Sequence, residues 1–114
     1  VYYANWDSEL FKLYKKLDLI ASIKETGLPD YLFDNLMSEA IILSGSASRG
    51  EDTAESDIDL FIQCKETKLE LKKFEENLKR KINIFFSKDL KSLSKELKNN
   101  ILNGVLLKGY LKVF

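Results

Sequence analysis

Two short apolar runs joined by a polar loop constrain the fold of this chain more than any other feature. The runs, residues 41–43 and 58–62, have the length of buried strands, and the loop between them is rich in Gly, Ser and acidic residues. Alternation along the second run places its aliphatic residues on one face and Asp57, Asp59 and Phe61 on the other. Two carboxylates are therefore predicted to point the same way at the start of a strand.

A divalent cation would stabilise such a carboxylate pair, since neighbouring like charges repel unless a cation neutralises them. Magnesium takes oxygen ligands, usually only one or two of them carboxylates, and leaves its other positions to water and substrate phosphate. Upstream, Gly45-Ser46 ends the first run, where a loop or helix N-terminus can present backbone N–H groups to phosphate oxygens. The pattern predicts a turn that holds phosphate followed by a strand that holds metal.

Gly45-Ser46, ten further residues and then Asp57-Ile58-Asp59 form the pattern GSx10DxD. This pattern resembles the signature of the nucleotidyltransferase superfamily that includes DNA polymerase beta. The surrounding sequence, SGSASRGEDTAESDIDLFI, is most similar to the minimal nucleotidyltransferase branch of that superfamily. The similarity is weaker, but in the right order, from about Glu39 to Phe114. Gly-Ser or Asp-x-Asp alone would be common, whereas the two at this spacing are specific.

The resemblance implies an α/β (α+β) domain with the nucleotidyltransferase fold. Its sheet would be small, mixed and mostly antiparallel, with about four strands flanked by helices and the motif at one edge of the catalytic face. The implied reaction transfers a nucleotidyl group from a nucleoside triphosphate such as ATP to an unknown acceptor, with loss of pyrophosphate. Asp57 and Asp59 would be catalytic and would hold one or two magnesium ions, while Gly45 and Ser46 would bind the phosphates.

Arg49 and Ser56, which lie between the two halves of the motif, are further candidates for nucleotide binding. The planar guanidinium of Arg49 suits bidentate phosphate contact. The alternative for Arg49 is an ion pair with an acid of the same loop: Glu51, Asp52 or Glu55. The alternative for Ser56 is a cap of the turn ahead of Asp57. For the two carboxylates, the alternative is plain solubilising charge on an exposed strand end.

The third acid of the family pattern is replaced by an amide in this chain. Active members carry a strand similar to Lys-Val-Asp-Leu-Val, and residues 81–85 read Lys-Ile-Asn-Ile-Phe, so Asn83 stands in the acid's place. An amide oxygen makes Asn83 a weak third metal ligand, but it cannot accept the nucleophile's proton. A positioned base contributes about 10²- to 10⁴-fold to the rate. Asp89 lies roughly 20 Å further along an extended chain, too far to replace it.

This departure leaves two hypotheses open. The first is an enzyme, favoured because the first two acids and the phosphate turn are intact. The second is a nucleotide- or partner-binding module with an antitoxin-like or regulatory role, since fold does not fix function. Minimal nucleotidyltransferases often pair with a small helical toxin-like protein, so the resemblance implies such a partner. Residues 2–6 and 103–110 are also similar to a mainly archaeal branch with a preceding winged-helix domain, so any DNA binding is expected from a domain absent from this chain.

Composition narrows the setting further. The 114 residues, 45% hydrophobic and 32% charged, suit one soluble domain. No signal peptide or membrane-spanning run is visible, so we expect a cytoplasmic protein without membrane contact. The chain has one cysteine and no histidine, which removes the usual zinc ligands and the commonest general base. Its net charge of zero predicts no strong attraction to nucleic acid.

Periodicity predicts a first helix from about Asp7 to Lys24, with an apolar stripe at helical spacing: Leu10, Leu13, Tyr14, Leu17, Ile20 and Ala21. Tyr2, Tyr3 and Trp6 are expected just before this helix and packed against it. A second helix begins near Pro29 and runs to about Ser38. Residues 1–38 are thus predicted to form a helical segment packed on a nucleotidyltransferase core of residues 39–114.

Alternating helices and strands are predicted after the motif. Residues 69–78 have the spacing of a third helix, and residues 80–86 that of a third strand with Asn83 and Phe85 on its less apolar face. Ser87 is expected to cap a fourth helix that ends at Asn103-Gly104. Residues 105–114 read as a last strand broken at a glycine.

Overall fold

The structure, a computed structural model, describes the backbone of residues 2–111 and the side chains of residues 8–111. Within that part of the chain, none of the helices is both long and apolar enough to cross a bilayer. The helices and strands, in chain order, are α1 (Tyr2–Glu25), α2 (Leu28–Leu36), β1 (Ala40–Ser44), β2 (Ile58–Ile62), α3 (Lys72–Leu78), β3 (Ile82–Phe86), α4 (Lys95–Leu102) and β4 (Val105–Gly109).

The four strands form one sheet in the order β3-β2-β1-β4. β1 is antiparallel to both of its neighbours, and β2 and β3 are parallel. A parallel pair needs a crossover connection, and the segment between β2 and β3, which contains α3, supplies it. The prediction of a small, mixed and mostly antiparallel four-stranded sheet is confirmed. The motif lies on the two central strands, at the end of the sheet where β1 ends and β2 begins.

Helices cover both faces of the sheet, which gives three layers. On one face the aliphatic side chains of the central strands pack with Leu19 and Ile23 of α1 and with α2. On the other face Phe61 packs against Leu90 and against Ile101 of α4. Every residue of β1 except Ser44 is buried, so β1 is the centre of the fold. The third strand also has the predicted alternation, with Ile82 buried and Asn83 exposed.

α1 starts earlier than the sequence predicted. It begins at Tyr2, so Tyr3 and Trp6 lie within the helix instead of preceding it. The predicted start near Asp7 follows from aliphatic spacing that begins at Leu10. The predicted packing of these aromatic side chains concerns residues whose side chains lie outside the described part of the chain.

The predicted apolar stripe of α1 faces largely away from the core. Leu13, Tyr14 and Leu17 are 46%, 61% and 52% exposed, whereas Leu19 and Ile23 on the opposite side are buried. Helical periodicity shows which residues share a face, but it does not show which face the rest of the fold covers.

The second and fourth helices also differ from the predictions. α2 ends at Leu36 because Met37 adopts a left-handed conformation with φ 50°. The predicted fourth helix is two separate elements: a 3₁₀ turn at Leu90–Ser92 and α4. Asp89 caps the turn by accepting from the Lys91 N–H, and Ser94 caps α4 by accepting from the Leu97 N–H. Ser87 caps neither of these elements.

Candidate active site

Asp57, Asp59 and Asn83 meet at the end of the sheet. Asp57 directly precedes β2 and Asp59 lies two residues on, so both carboxylates leave the same face. Asn83 is the register partner of Asp59 on the parallel neighbour β3. Its Nδ2 lies 2.9 Å from Asp57 Oδ2 and 3.2 Å from Asp59 Oδ1. Because ionised carboxylates only accept hydrogen bonds, the amide nitrogen must face them.

The oxygen atoms of this group fit a divalent cation. Two carboxylate oxygens converge on the position that Asn83 Nδ2 approaches, and two carboxylates are what magnesium commonly takes from a protein. If Asn83 turned its amide over, its Oδ1 would be a third, neutral ligand. The searched residues hold no cluster of three or more His, Cys, Asp or Glu side chains. The carboxylates of Asp57 and Asp59, with Asn83, are too few to enclose a cation. They suit a cation whose remaining ligands come from water and from a substrate phosphate.

Gly45 places the turn that follows β1 directly against Asp59. Its backbone has φ 72° and ψ −160°, a region that is essentially restricted to glycine. A Cβ at Gly45 would lie 2.6 Å from Asp59 Oδ2, closer than any real contact. The preceding residue, Ser44, is the antiparallel register partner of Asp59. Glycine is thus required here by both conformation and space.

The turn after Gly45 presents backbone donors. Residues Ser46–Arg49 form a 3₁₀ turn whose first backbone bond runs from the Ser48 N–H to the Gly45 carbonyl, at 3.2 Å. The Ser48 hydroxyl donates to the same carbonyl at 2.7 Å and fixes the turn. The N–H groups of Ser46 and Ala47 precede that first bond, so they have no acceptor inside the turn. Adjacent free amides of this kind bind anions.

Arg49 and Ser56 are engaged within their own loop. Arg49 Nε donates to Glu51 Oε1 at 2.7 Å, as in the ion pair that was the alternative to phosphate contact. This contact and the Lys12 ammonium lower the pKa of the Glu51 carboxyl. Ser56 Oγ accepts from the Thr53 N–H at 2.9 Å, as a turn cap does. The roles of Arg49 and Ser56 in nucleotide binding remain predictions.

A buried ion pair that sequence reasoning missed holds the loop between the two halves of the motif. Asp52 is only 5% exposed, and Arg80 Nη2 lies 2.5 Å from its Oδ2. Arg80 Nε also donates to the Ser56 carbonyl at 2.8 Å, directly before the first motif acid. From α1, Lys15 Nζ donates to the Asp52 carbonyl and lies 3.9 Å from Oδ1. The sequence carried no signal for this pair, because 28 residues separate its members.

A cavity of about 390 Å³ opens beside the carboxylates, between the sheet and α4. Asp59, Asn83 and Phe85 line it from the sheet, and Asn100 lines it from α4. The Phe85 ring is 43% exposed and stacks on Phe61, with ring centroids 6.0 Å apart. Strand alternation in the sequence places Phe85 on the same face as Asn83, and this alternation predicts that Phe85 lies on the cavity side of the sheet. Nothing in the sequence indicated Asn100.

A glycine turn at the end of one strand and two carboxylates at the start of its neighbour, in a mixed sheet, are the arrangement of a nucleotidyltransferase domain. The chain belongs to this family: the family model described as "Polymerase beta, Nucleotidyltransferase" matches residues 27–111, which include every candidate site residue. Among solved structures, the chain is similar to one described as "Crystal structure of the toxin-antitoxin with AMP-PNP". The TM-score is 0.57 at 26% identity, over 75% of this chain and 73% of that one. A comparison with curated proteins gave no match.

Proposed function

We propose that this chain binds a nucleoside triphosphate together with magnesium and transfers its nucleotidyl group to a hydroxyl acceptor. The observation that carries the proposal is the contact between the Gly45 turn and Asp59, which leaves no room for a side chain between them. A phosphate bound to the turn amides would be within reach of a cation held by Asp59 and Asp57. The phosphate site and the metal site are therefore one site.

Each residue of the site has a distinct role in this proposal. The amides after Gly45 and the Ser46 hydroxyl bind the β- and γ-phosphates. Asp57 and Asp59 are the catalytic ligands of one or two magnesium ions. When bound, magnesium neutralises phosphate charge and lowers the pKa of the attacking hydroxyl. The exposed Phe85 ring supplies a face on which a nucleobase can stack within the cavity.

Asn83 favours a second candidate function, a nucleotide-binding module with little turnover. Its amide donates to both acids and cannot take the proton of a nucleophile. The similar solved structure is a toxin-antitoxin with AMP-PNP, which supports a nucleotide-bound antitoxin with a toxin-like protein as its partner.

Under either candidate function we propose a cytoplasmic setting, and we assign any DNA binding to a domain outside this chain.

Two measurements on three variants test the proposal and separate the candidates. Calorimetry with AMP-PNP and magnesium measures binding, and pyrophosphate release with each triphosphate measures turnover. Asp57→Asn removes one charged ligand, and Asn83→Asp supplies the missing acid. Asp89→Asn is the matched control, because it changes an acid outside the cavity while an amide oxygen can still accept from the Lys91 N–H.

Turnover by the wild type that Asp57→Asn abolishes and Asp89→Asn leaves unchanged supports the enzyme. Binding without turnover, together with turnover in Asn83→Asp, supports the second candidate. Where the wild type is active, the added base in Asn83→Asp should raise the rate by about 10²- to 10⁴-fold. Absence of any magnesium-dependent heat from nucleotide in the wild type would overturn both candidates.

A further inference from the structure

The outer face of α1 carries an exposed apolar surface, which we call the α1 stripe: Leu10, Leu13, Tyr14 and Leu17. The last three are 46% to 61% exposed. The opposite side of the helix buries Leu19 and Ile23 in the domain core. α1 is thus apolar on two sides, and only one of them is used by the domain. Contiguous exposed apolar surface of this kind marks an interaction site.

The spacing of the stripe is that of a two-stranded coiled coil. Leu10, Leu13 and Leu17 follow one another at intervals of three and four, which are the a and d positions of a heptad. In the sequence, Tyr3 and Trp6 hold the two preceding positions of the same pattern, and α1 is helical from Tyr2. A heptad seam packs side by side against another helix along its length, so the occupant must itself be a helix with the same repeat.

We propose that the α1 stripe pairs with the α1 stripe of a second copy of this chain, in an antiparallel arrangement. Such a pair is self-complementary about a two-fold axis, since the same residues serve both sides of the interface. In this arrangement Leu10 packs beside Leu13 of the partner subunit. The net charge of zero means that two copies do not repel each other as whole molecules.

Charges beside the stripe select the antiparallel direction. Glu9 and Lys16 both lie at g positions, on the same edge of the seam. In the antiparallel register, Glu9 approaches Lys16 of the partner subunit, and Lys16 approaches Glu9 of the partner subunit. A parallel register would place Glu9 opposite Tyr14 of the partner subunit and would leave the two charges unmatched. Glu9 is 78% exposed and its contact with Lys12 is long, at 4.0 Å, so its carboxylate is available.

Sedimentation velocity on the full chain, from about 1 μM to 1 mM, tests the proposal. The wild type should form a dimer as the concentration rises. Leu13→Glu should abolish the dimer, because it places a charge in the centre of the seam. Met37→Glu is the matched control, since it changes another exposed apolar residue, 91% exposed, which lies at the end of α2 and outside α1. It should leave the dimer unchanged. Thermal melting of each variant shows that the domain still folds.

A charge exchange tests the direction of the helices. Glu9→Lys and Lys16→Glu each place like charges together at two symmetric points, so each should raise the dissociation constant by about tenfold. The double variant exchanges the two signs and should restore the wild-type value. A monomer at every concentration, a dimer that survives Leu13→Glu, or a double variant no better than the single ones would overturn the proposal.

Discussion

The neighbouring acids Glu51 and Asp52 form ion pairs that differ sharply in burial, and the difference predicts unequal contributions to stability. The pair of Asp52 and Arg80 is 5% and 10% exposed, whereas the pair of Arg49 and Glu51 is about half exposed. Removing one partner of a buried pair leaves an uncompensated charge and costs about 3–5 kcal/mol. Exposed pairs contribute little because water already solvates both charges.

Arg80→Ala should therefore lower the urea midpoint of unfolding strongly, and Arg49→Ala should barely move it. Urea titrations followed by circular dichroism compare the two variants under identical conditions. Because Arg80 also donates to the Ser56 carbonyl, Arg80→Ala should weaken magnesium-dependent nucleotide binding through loss of loop position. Equal midpoints for the two variants would refute the assignment of Asp52 and Arg80 as the anchor of the loop.

Cys64 is predicted to be an unreactive thiol in the folded protein. Burial raises the pKa of Cys64 above its ordinary value, and the opposing effect of the Lys88 ammonium is smaller. Only the thiolate is alkylated, so near neutral pH the folded protein presents less of the reactive form than an exposed cysteine does. The alkylation rate of the folded protein should therefore rise only at pH values above the usual pKa range of cysteine. Iodoacetamide labelling followed by mass spectrometry should be slow in buffer and fast in urea, and equal rates would contradict this.

At the scale of elements, one glycine sets how closely α1 approaches the motif loop. Gly50 has φ 68°, and a Cβ there would run into the backbone carbonyl of Lys12 in α1. Backbone cannot yield as a flexible side chain can, so Gly50→Ala should displace α1. Gly27 is a matched control, because its φ is 80° while nothing lies within 4 Å of its Cβ position.

Both alanine variants carry the cost of a left-handed conformation, roughly 1–2 kcal/mol. Gly50→Ala carries the collision in addition, so its free energy of unfolding should fall further than that of Gly27→Ala. Urea titration measures both changes. A smaller loss for Gly50→Ala than for Gly27→Ala would show that α1 is not packed against this loop as described.

The same distinction between local and distant contacts explains what the sequence could predict. The strands and the convergence of Asp57 and Asp59 followed from alternation, a property of adjacent residues. The place of Asn83 beside them followed from the family resemblance and from its strand position. The outward stripe of α1 and the pairing of Asp52 with Arg80 depend on the arrangement of distant elements, which periodicity does not encode. The fourth helix was misplaced because Ser87, Asp89 and Ser94 are all competent caps, and local sequence alone does not rank them.

At the scale of the whole molecule, the burial pattern predicts a gradient of local stability. β1 is hydrogen-bonded to strands on both sides and covered on both faces, so its amides should exchange with solvent only when the whole domain unfolds. The part of α1 before Leu19 is tied to the motif loop by Lys12 and Lys15 and exposes its stripe. At low protein concentration, the amides of residues 8–17 should therefore exchange through local opening of the helix. Their exchange should be much faster than that of the β1 amides.

Hydrogen exchange with mass spectrometry, repeated at low and high protein concentration, measures this gradient and connects it to association. If two α1 stripes pair, exchange in residues 8–17 should slow as concentration rises. Exchange in β1 should slow as well, because pairing binds only the folded chain and so raises the free energy of global unfolding. Leu13→Glu should remove the concentration dependence and leave the gradient itself in place. Uniform protection of α1 and β1 at low concentration would mean that α1 unfolds only with the core, and the domain would then lack the gradient that its burial predicts.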